Sequence, residues 1–148
     1  MYVVNVEGAI LRDDRYLMVV RGPGEDHAPG TLALVGGKVE QAGITDAILE
    51  NTLRREISEE VGVAVGPHLH YLKSSAFVAD DGAPVVDVVF LCEYAGGDPR
   101  IADPAEVAAI AWMTAAEVLA HPKAPPWTRL SIEAAERWRH REGTRAKG

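Results

Sequence analysis

The stretch GGKVEQAGITDAILENTLRREISEEVGV, residues 36–63, contains five glutamates, and three of them, Glu56, Glu59 and Glu60, stand together just ahead of Gly62. Leu49, Leu53, Ile57 and Val61 recur at the spacing of one helical face, so the segment predicts a helix with a buried stripe. Thr45 or Asp46 is expected to cap its start and Gly62 to end it. Glu56 and Glu60 are then one turn apart with Glu59 beside them, and all three carboxylates share a face. Each like-charged pair costs a few tenths of a kcal/mol. The negative end of the helix dipole adds roughly 0.3–1 kcal/mol for each acid in the last turns. Arg55, four residues before Glu59, and Arg54, four after Glu50, return only about 0.3–0.5 kcal/mol apiece. The arrangement is locally unfavourable. Either it is a solvated acidic face, or a hard cation cancels the repulsion. Mg²⁺ suits the second account, because it takes oxygen ligands and often uses one or two carboxylates together with substrate phosphates.

Around this segment the chain alternates strands and helices, with no internal repeat and no evident linker. YVVNVEGAI and YLMVVRG are rich in β-branched residues and flank LRDDR, which predicts a hairpin. GPGEDHAPG breaks regular structure, and TLALV leads into Gly36 and Gly37. HLHYLKSSAFVA and VVDVVFLCEY, on either side of DDGAP, read as two further strands, and VAAIAWM as the last. Thr114 to Glu117 has capping-box spacing and opens a short helix ending near Pro122. Thr128 is expected to open a final helix, with Trp127 packed just before it. His68 and His70 alternate in one strand, but two histidines without a third ligand make a poor zinc site. Trp138 and His140 lie in a basic C-terminal helix suited either to packing on the domain or to a homodimer contact.

The 148 residues suffice for one domain with a proper core. A net charge of −7 argues against a protein that holds a nucleic acid polymer by neutralising phosphates, so a polyanionic small molecule would need local positive charge or a metal. Cys92, in an apolar run, has no disulfide partner and reads as a buried core residue. The N-terminal sequence lacks a signal-peptide pattern, and no apolar run is long enough for a membrane span. A cytoplasmic protein without membrane contact is expected.

Gly36-Gly37, the run Arg-Glu-Ile-Ser-Glu-Glu-Val-Gly-Val at 55–63 and their strand-loop-helix setting together resemble the Nudix hydrolases of MutT type. The family signature is a glycine, five residues, a glutamate, seven residues, then Arg-Glu-apolar-any-Glu-Glu-any-Gly-apolar. Its second half is matched here at every specified position. The resemblance extends to a hairpin ending in Arg21 and to Trp112-Met113 followed by a short helix. The first half departs from the signature. Its glutamate would fall on Gly43 counted from Gly37, or on Ala47 counted back from Arg55, so the segment is four residues longer and that acid is missing. An extra stretch of loop or one added helical turn accounts for the length, with Glu40 or Glu50 as substitutes. Val35 stands where a proline commonly precedes the double glycine.

The resemblance implies an α+β fold, an α/β/α sandwich around a mixed β-sheet, spanning residues 1–142, with a flexible tail over 143–148. It implies a hydrolase of phosphorus-containing acid anhydrides. This enzyme would use Mg²⁺, with Mn²⁺ as a substitute, to cleave a pyrophosphate bond in a nucleoside diphosphate linked to another group. Glu56 and Glu60 would be the first metal ligands and Glu59 a ligand or bridge, joined by the carbonyl of Gly36. Glu106, six residues ahead of Trp112, would be a ligand or the general base, and the base stays open between Glu56 and Glu106. Arg55 would orient Glu59, and Arg21 and Lys38 would steady the phosphates. Glu93, at a strand end, is a weaker candidate. The alternative is a nucleotide-binding or regulatory module that keeps the fold and has lost turnover.

Overall fold

The computed structural model describes the backbone of residues 1–147 and the side chains of residues 1–142. The tail expected at 143–148 falls on the chain end and lies outside the described side chains. Among the described residues the chain forms, in order, β1 (Val3–Arg12), β2 (Arg15–Arg21), β3 (Leu32–Ala33), β4 (Val35–Lys38), α1 (Ile48–Val61), β5 (Ala64–Val78), β6 (Pro84–Gly96), β7 (Val107–Thr114), α2 (Ala115–Leu119) and α3 (Pro126–Lys147).

These strands make one mixed sheet with the path β3-β2-β1-β6-β5, in which β4 also pairs β1 and β7 also pairs β2. β1 and β6 run parallel, whereas β1 and β2 form the expected hairpin through a two-residue turn in which Asp13 adopts φ 57°. Aspartate tolerates that left-handed conformation better than a branched residue would. Alternation along β1 sends Val6 and Ile10 to one face and Ala9 to the other. The first face packs with Leu17, Val35, Phe90 and Cys92 against Leu53, Ile57 and Val61 of α1. The second joins Tyr16, Met18, Leu34, Val89 and Leu91 to Val118, Ile132 and Ala135 of α2 and α3. The sheet is therefore covered on both sides, as the fold expectation required. Cys92 is buried as expected, and burial pushes its thiol up to about 12.

Helix α1 lies close against β1. A methyl group at Gly8 would meet Cys92 Sγ at 3.0 Å and Ile57 Cδ1 at 3.3 Å, so glycine at this position permits the approach. The expected C-terminus holds: Gly62 sits at φ 68° and donates its N–H to the Ser58 carbonyl. The expected N-cap does not. The residue before the first turn is Ala47, at φ 51°, with no capping side chain, and neither Thr45 nor Asp46 fills that role. The four added residues therefore lengthen the exposed loop after Lys38 instead of adding a helical turn. α2 carries the capping box foreseen for Thr114 and Glu117. α3 begins at Pro126, earlier than expected, because proline is well suited to a first helical position. That places Trp127 inside the first turn. Thr128 is buried and its hydroxyl donates to the Leu32 carbonyl at 2.8 Å. Trp138 packs on the domain, its ring 4.3 Å from that of His70.

Candidate active site

The double-glycine strand β4 runs antiparallel to β1, with Gly36 opposite Glu7 and Gly37 opposite Val6. Each glycine has a steric reason. A Cβ on Gly36 would run into the Val6 carbonyl oxygen, and one on Gly37 would lie 2.6 Å from Glu56 Oε2. The carboxyl of Glu56 thus rests on a surface that any side chain would fill. Its side chain is 18% exposed, against 64% for Glu59, which turns toward solvent. Arg55 reaches both acids: Nη2 donates to Glu56 Oε1 at 3.4 Å, and Nε lies 4.0 Å from Glu59 Oε1. It therefore lies nearer to Glu56 than to the expected Glu59.

The loop after β6 is fastened to the end of α1. The Arg100 N–H donates to the Val61 carbonyl and the Ala102 N–H to the Glu60 carbonyl, at 2.9 and 3.2 Å. Within the loop, Asp103 Oδ1 accepts from the Ala105 N–H, and the Asp103 carbonyl accepts from the Glu106 N–H, which sets the turn that presents Glu106. A second loop, between β2 and β3, is zipped onto this turn. Gly22 donates to the Glu106 carbonyl at 2.8 Å and Gly24 to the Ala105 carbonyl at 2.7 Å. Here again a Cβ at Gly22 would strike the Ala105 carbonyl.

Three separate segments thereby bring Glu56, Glu60, Glu106 and Glu25 within electrostatic reach of one another. Glu60 is pushed up to about 8, first by burial and then by the charges of Glu56, Glu106 and Glu25, with Arg21 opposing. Glu56 is also raised, by burial first, against the hydrogen bond and charge of Arg55 and with further push from Glu59 and Glu106. Glu25 is raised by burial, with Arg21 lowering it and Glu106 and Asp26 adding to the rise. Lys38 is exposed near Glu25. Arg21 is committed to its own loop, Nε donating to the His27 carbonyl at 2.8 Å and Nη2 to Glu25 Oε2 at 3.0 Å.

Glu25 is the residue that sequence reading missed. Nothing in the spacing of the signature points to it, and only the paired glycines at 22 and 24 hint at a backbone that must approach another closely. The proposed substitutes go elsewhere: Glu40 is exposed in the long loop, and Glu50 lies with Arg54, Pro67 and His68 beside the start of β5. Missed too were Glu7 and Asp87, neighbours on the sheet face opposite α1. Burial and the charge of Asp87 raise Glu7, while the Asn5 amide donates to Asp87 Oδ1 at 2.8 Å. Their signal was legible, as the single charged residues of the largely apolar runs VVNVEGAI and VVDVVF.

The donor set fits a hard divalent cation. It is all oxygen and carries more negative than positive charge, and its two inner carboxyls resist ionising where they stand. Among the described residues no group of three or more histidine, cysteine, aspartate or glutamate side chains is placed to hold a metal ion. Mg²⁺ does not need one, since it keeps waters and shares its shell with substrate oxygens.

The family model of the NUDIX domain matches residues 1–135. The chain belongs to the Nudix hydrolase family. Its fold agrees with that of a MutT Nudix hydrolase from Burkholderia pseudomallei, with TM-score 0.76 and 28% identity over 90% of this chain and 98% of that one. The E. coli ORF135 protein gives TM-score 0.70 and 26% identity over 93% and 91% of the two chains. The Nudix domain of Shewanella oneidensis NrtR, solved with ADP ribose, shares the fold at TM-score 0.71 and 24% identity, over 93% of this chain and 89% of that one. No curated protein matches the chain. Among the described residues of this Nudix domain, no helix is long and apolar enough to cross a membrane.

Proposed function

We propose that this Nudix domain hydrolyses a pyrophosphate bond in a nucleoside diphosphate linked to another group, using Mg²⁺ or, in its place, Mn²⁺. The observation that carries this reading is the set of acids around Glu60, gathered from three segments beside the Gly37 bend with too little positive charge to balance them. Glu56, Glu60 and the carbonyl of Gly36 would hold the cation, with Glu59 able to swing in from solvent. Bound there, the ion would neutralise phosphate oxygens and stabilise the leaving oxygen.

The chain's own residues do the rest. Arg55 fixes the Glu56 carboxyl against the Gly37 surface. Glu106, on the loop hydrogen-bonded to the last turn of α1, would take the proton of the attacking water, which would leave Glu56 free to remain a ligand. Lys38, exposed at the end of β4, offers its ammonium to the substrate phosphates. Arg21 acts through Glu25 and the loop rather than on phosphate.

The test is Mg²⁺-dependent release of phosphate or pyrophosphate from a panel of nucleoside triphosphates, nucleotide sugars, ADP-ribose and dinucleoside polyphosphates. Glu56→Gln and Glu60→Gln should each reduce release by about a hundredfold or more. Release that ignores both substitutions overturns the proposal, and ligand binding without any release points instead to a binding module.

A further inference from the structure

The loop joining β2 to β3, GPGEDHAPGT at residues 22–31, is held at three places. At its base the Arg21 N–H donates to the Thr31 carbonyl at 2.9 Å and the Gly30 N–H to the Arg21 carbonyl at 2.8 Å. Along its first half runs the seam with the Glu106 loop, two bonds from the Gly22 and Gly24 N–H groups to the Glu106 and Ala105 carbonyls. The pairing of β2 with β7 shifts register between Val20 and Arg21, so this seam lies beyond an irregular end of the ladder. A Cβ on Gly24 would lie 2.9 Å from the Ala105 carbonyl oxygen, so the close approach requires glycine. Glycine also leaves the backbone free to swing away, because it restricts φ and ψ least. The seam therefore needs a hold elsewhere in the loop, and the tip supplies it. The His27 ring stacks on Phe77 of β5 with centroids 5.1 Å apart and leans on Trp127 of α3 at 6.2 Å. Its Nδ1 is buried 3.4 Å from Asp80 Oδ1, and Asp80 Oδ2 accepts from the Ala28 N–H at 3.3 Å. Ala28 sits at φ 47°, a left-handed conformation that a residue with a Cβ keeps only when its surroundings enforce it. The hold at the tip is relayed inward, because Arg21 Nε donates to the His27 carbonyl at 2.8 Å and Arg21 adjoins the first residue of the seam.

We infer that His27 is a positioning residue for Glu106: docked on Phe77 and Trp127, its ring closes the β2–β3 loop against the loop that carries Glu106 and so fixes where that carboxylate stands. This rests on the hydrolytic reading above, in which Glu106 takes the proton of the attacking water. Hydrogen exchange followed residue by residue by NMR tests the mechanical half without any substrate. In His27→Ala the Gly22 and Gly24 amides should exchange about tenfold or more faster than in the parent, while the amides of β1 and β6, in the middle of the sheet, keep their protection. His27→Phe keeps a ring for Phe77 and Trp127 and should stay within about threefold of the parent at both glycines. Kinetics test the other half. His27→Ala should lower kcat by about tenfold or more with KM within about twofold, His27→Phe should recover most of that loss, and His27→Ala should add nothing to Glu106→Gln.

If His27→Ala loses protection throughout β1 and β6, it has unfolded, and Trp127→Leu replaces it under the same criteria, since Trp127 is 49% exposed and touches the ring from outside the loop. Gly22 and Gly24 amides that exchange at the parent's rate in His27→Ala overturn the inference, as does a His27→Phe protein in which they exchange as fast as in His27→Ala. A loss of kcat from His27→Ala that persists undiminished beside Glu106→Gln shows His27 acting on something other than Glu106 and refutes the positioning role. A parent that hydrolyses nothing on the substrate panel overturns the proposed function and with it the role given to His27, whereas an active parent with an unmoved seam overturns this inference alone.

Discussion

Glu60→Gln should stabilise the metal-free protein at pH 8 and leave it nearly unchanged at pH 5. The reason is the rise of the Glu60 carboxyl from an ordinary 4.5 to about 8. A group whose folded value is raised gives stability that is complete below its unfolded value and is lost as the pH climbs through the folded one. The parent chain should therefore weaken between about pH 4.5 and pH 8, where the unfolded chain ionises this acid freely and the folded chain resists. At 1.36 kcal/mol per pH unit, the full interval amounts to about 4 kcal/mol at pH 8. Partial solvent access to the side chain screens that figure to about 1–3 kcal/mol. Glutamine has the same shape and no charge, so it removes the penalty. For a chain of this size the expected gain is about 3–10 °C in Tm at pH 8. Thermal melts in EDTA from pH 5 to 8.5 measure it directly. Added Mg²⁺ at pH 8 should raise the Tm of the parent and leave that of Glu60→Gln almost unmoved, because the ion gives the parent's carboxylate a partner. A Tm difference between the two proteins that is constant across pH, or a variant less stable than the parent at pH 8 in EDTA, would refute the reasoning.

Three other outcomes follow from the same geometry. Gly37→Ala puts a Cβ 2.6 Å from Glu56 Oε2, and the displaced carboxyl should lower kcat by about a hundredfold. Circular dichroism should show the fold kept, and activity near the parent's would show that the contact does not position Glu56. Asp87→Asn removes the charge that helps hold Glu7 high and keeps an oxygen for the Asn5 amide. Urea unfolding should therefore show a gain of about 1 kcal/mol at pH 8 that shrinks toward pH 5, and a loss at pH 8 would contradict this. Gly62→Ala forces φ 68° on a residue with a Cβ and crowds the Arg100 side chain at 2.9 Å, so unfolding experiments should register a loss of about 1–2 kcal/mol. An unchanged midpoint would mean that α1 can end without that conformation.

The sequence by itself determined the elements and the family. Apolar spacing from Leu49 to Val61 marks the buried stripe of α1, Gly62 marks its end, and the β-branched runs mark the strands, because these signals depend on neighbours a few residues away. The run from Arg55 to Val63 carries the family in the same way, since helical spacing alone sets Glu56 and Glu60 one turn apart, although Glu59 turns to solvent. Local signals failed at α1's start, where the expected Thr45 or Asp46 cap gave way to Ala47 in a left-handed turn, and at α3, which Pro126 begins two residues early. Only the tertiary structure decided which acids meet. Glu106 reaches Glu60 because the loop after β6 hydrogen-bonds to the last turn of α1. Glu25 reaches both because two glycines let a second loop lie against the first, and Glu7 finds Asp87 because β1 and β6 pair in parallel. Charge interacts through space across segments that no spacing rule connects, so the acids that complete this site become visible only once the backbone has brought them together.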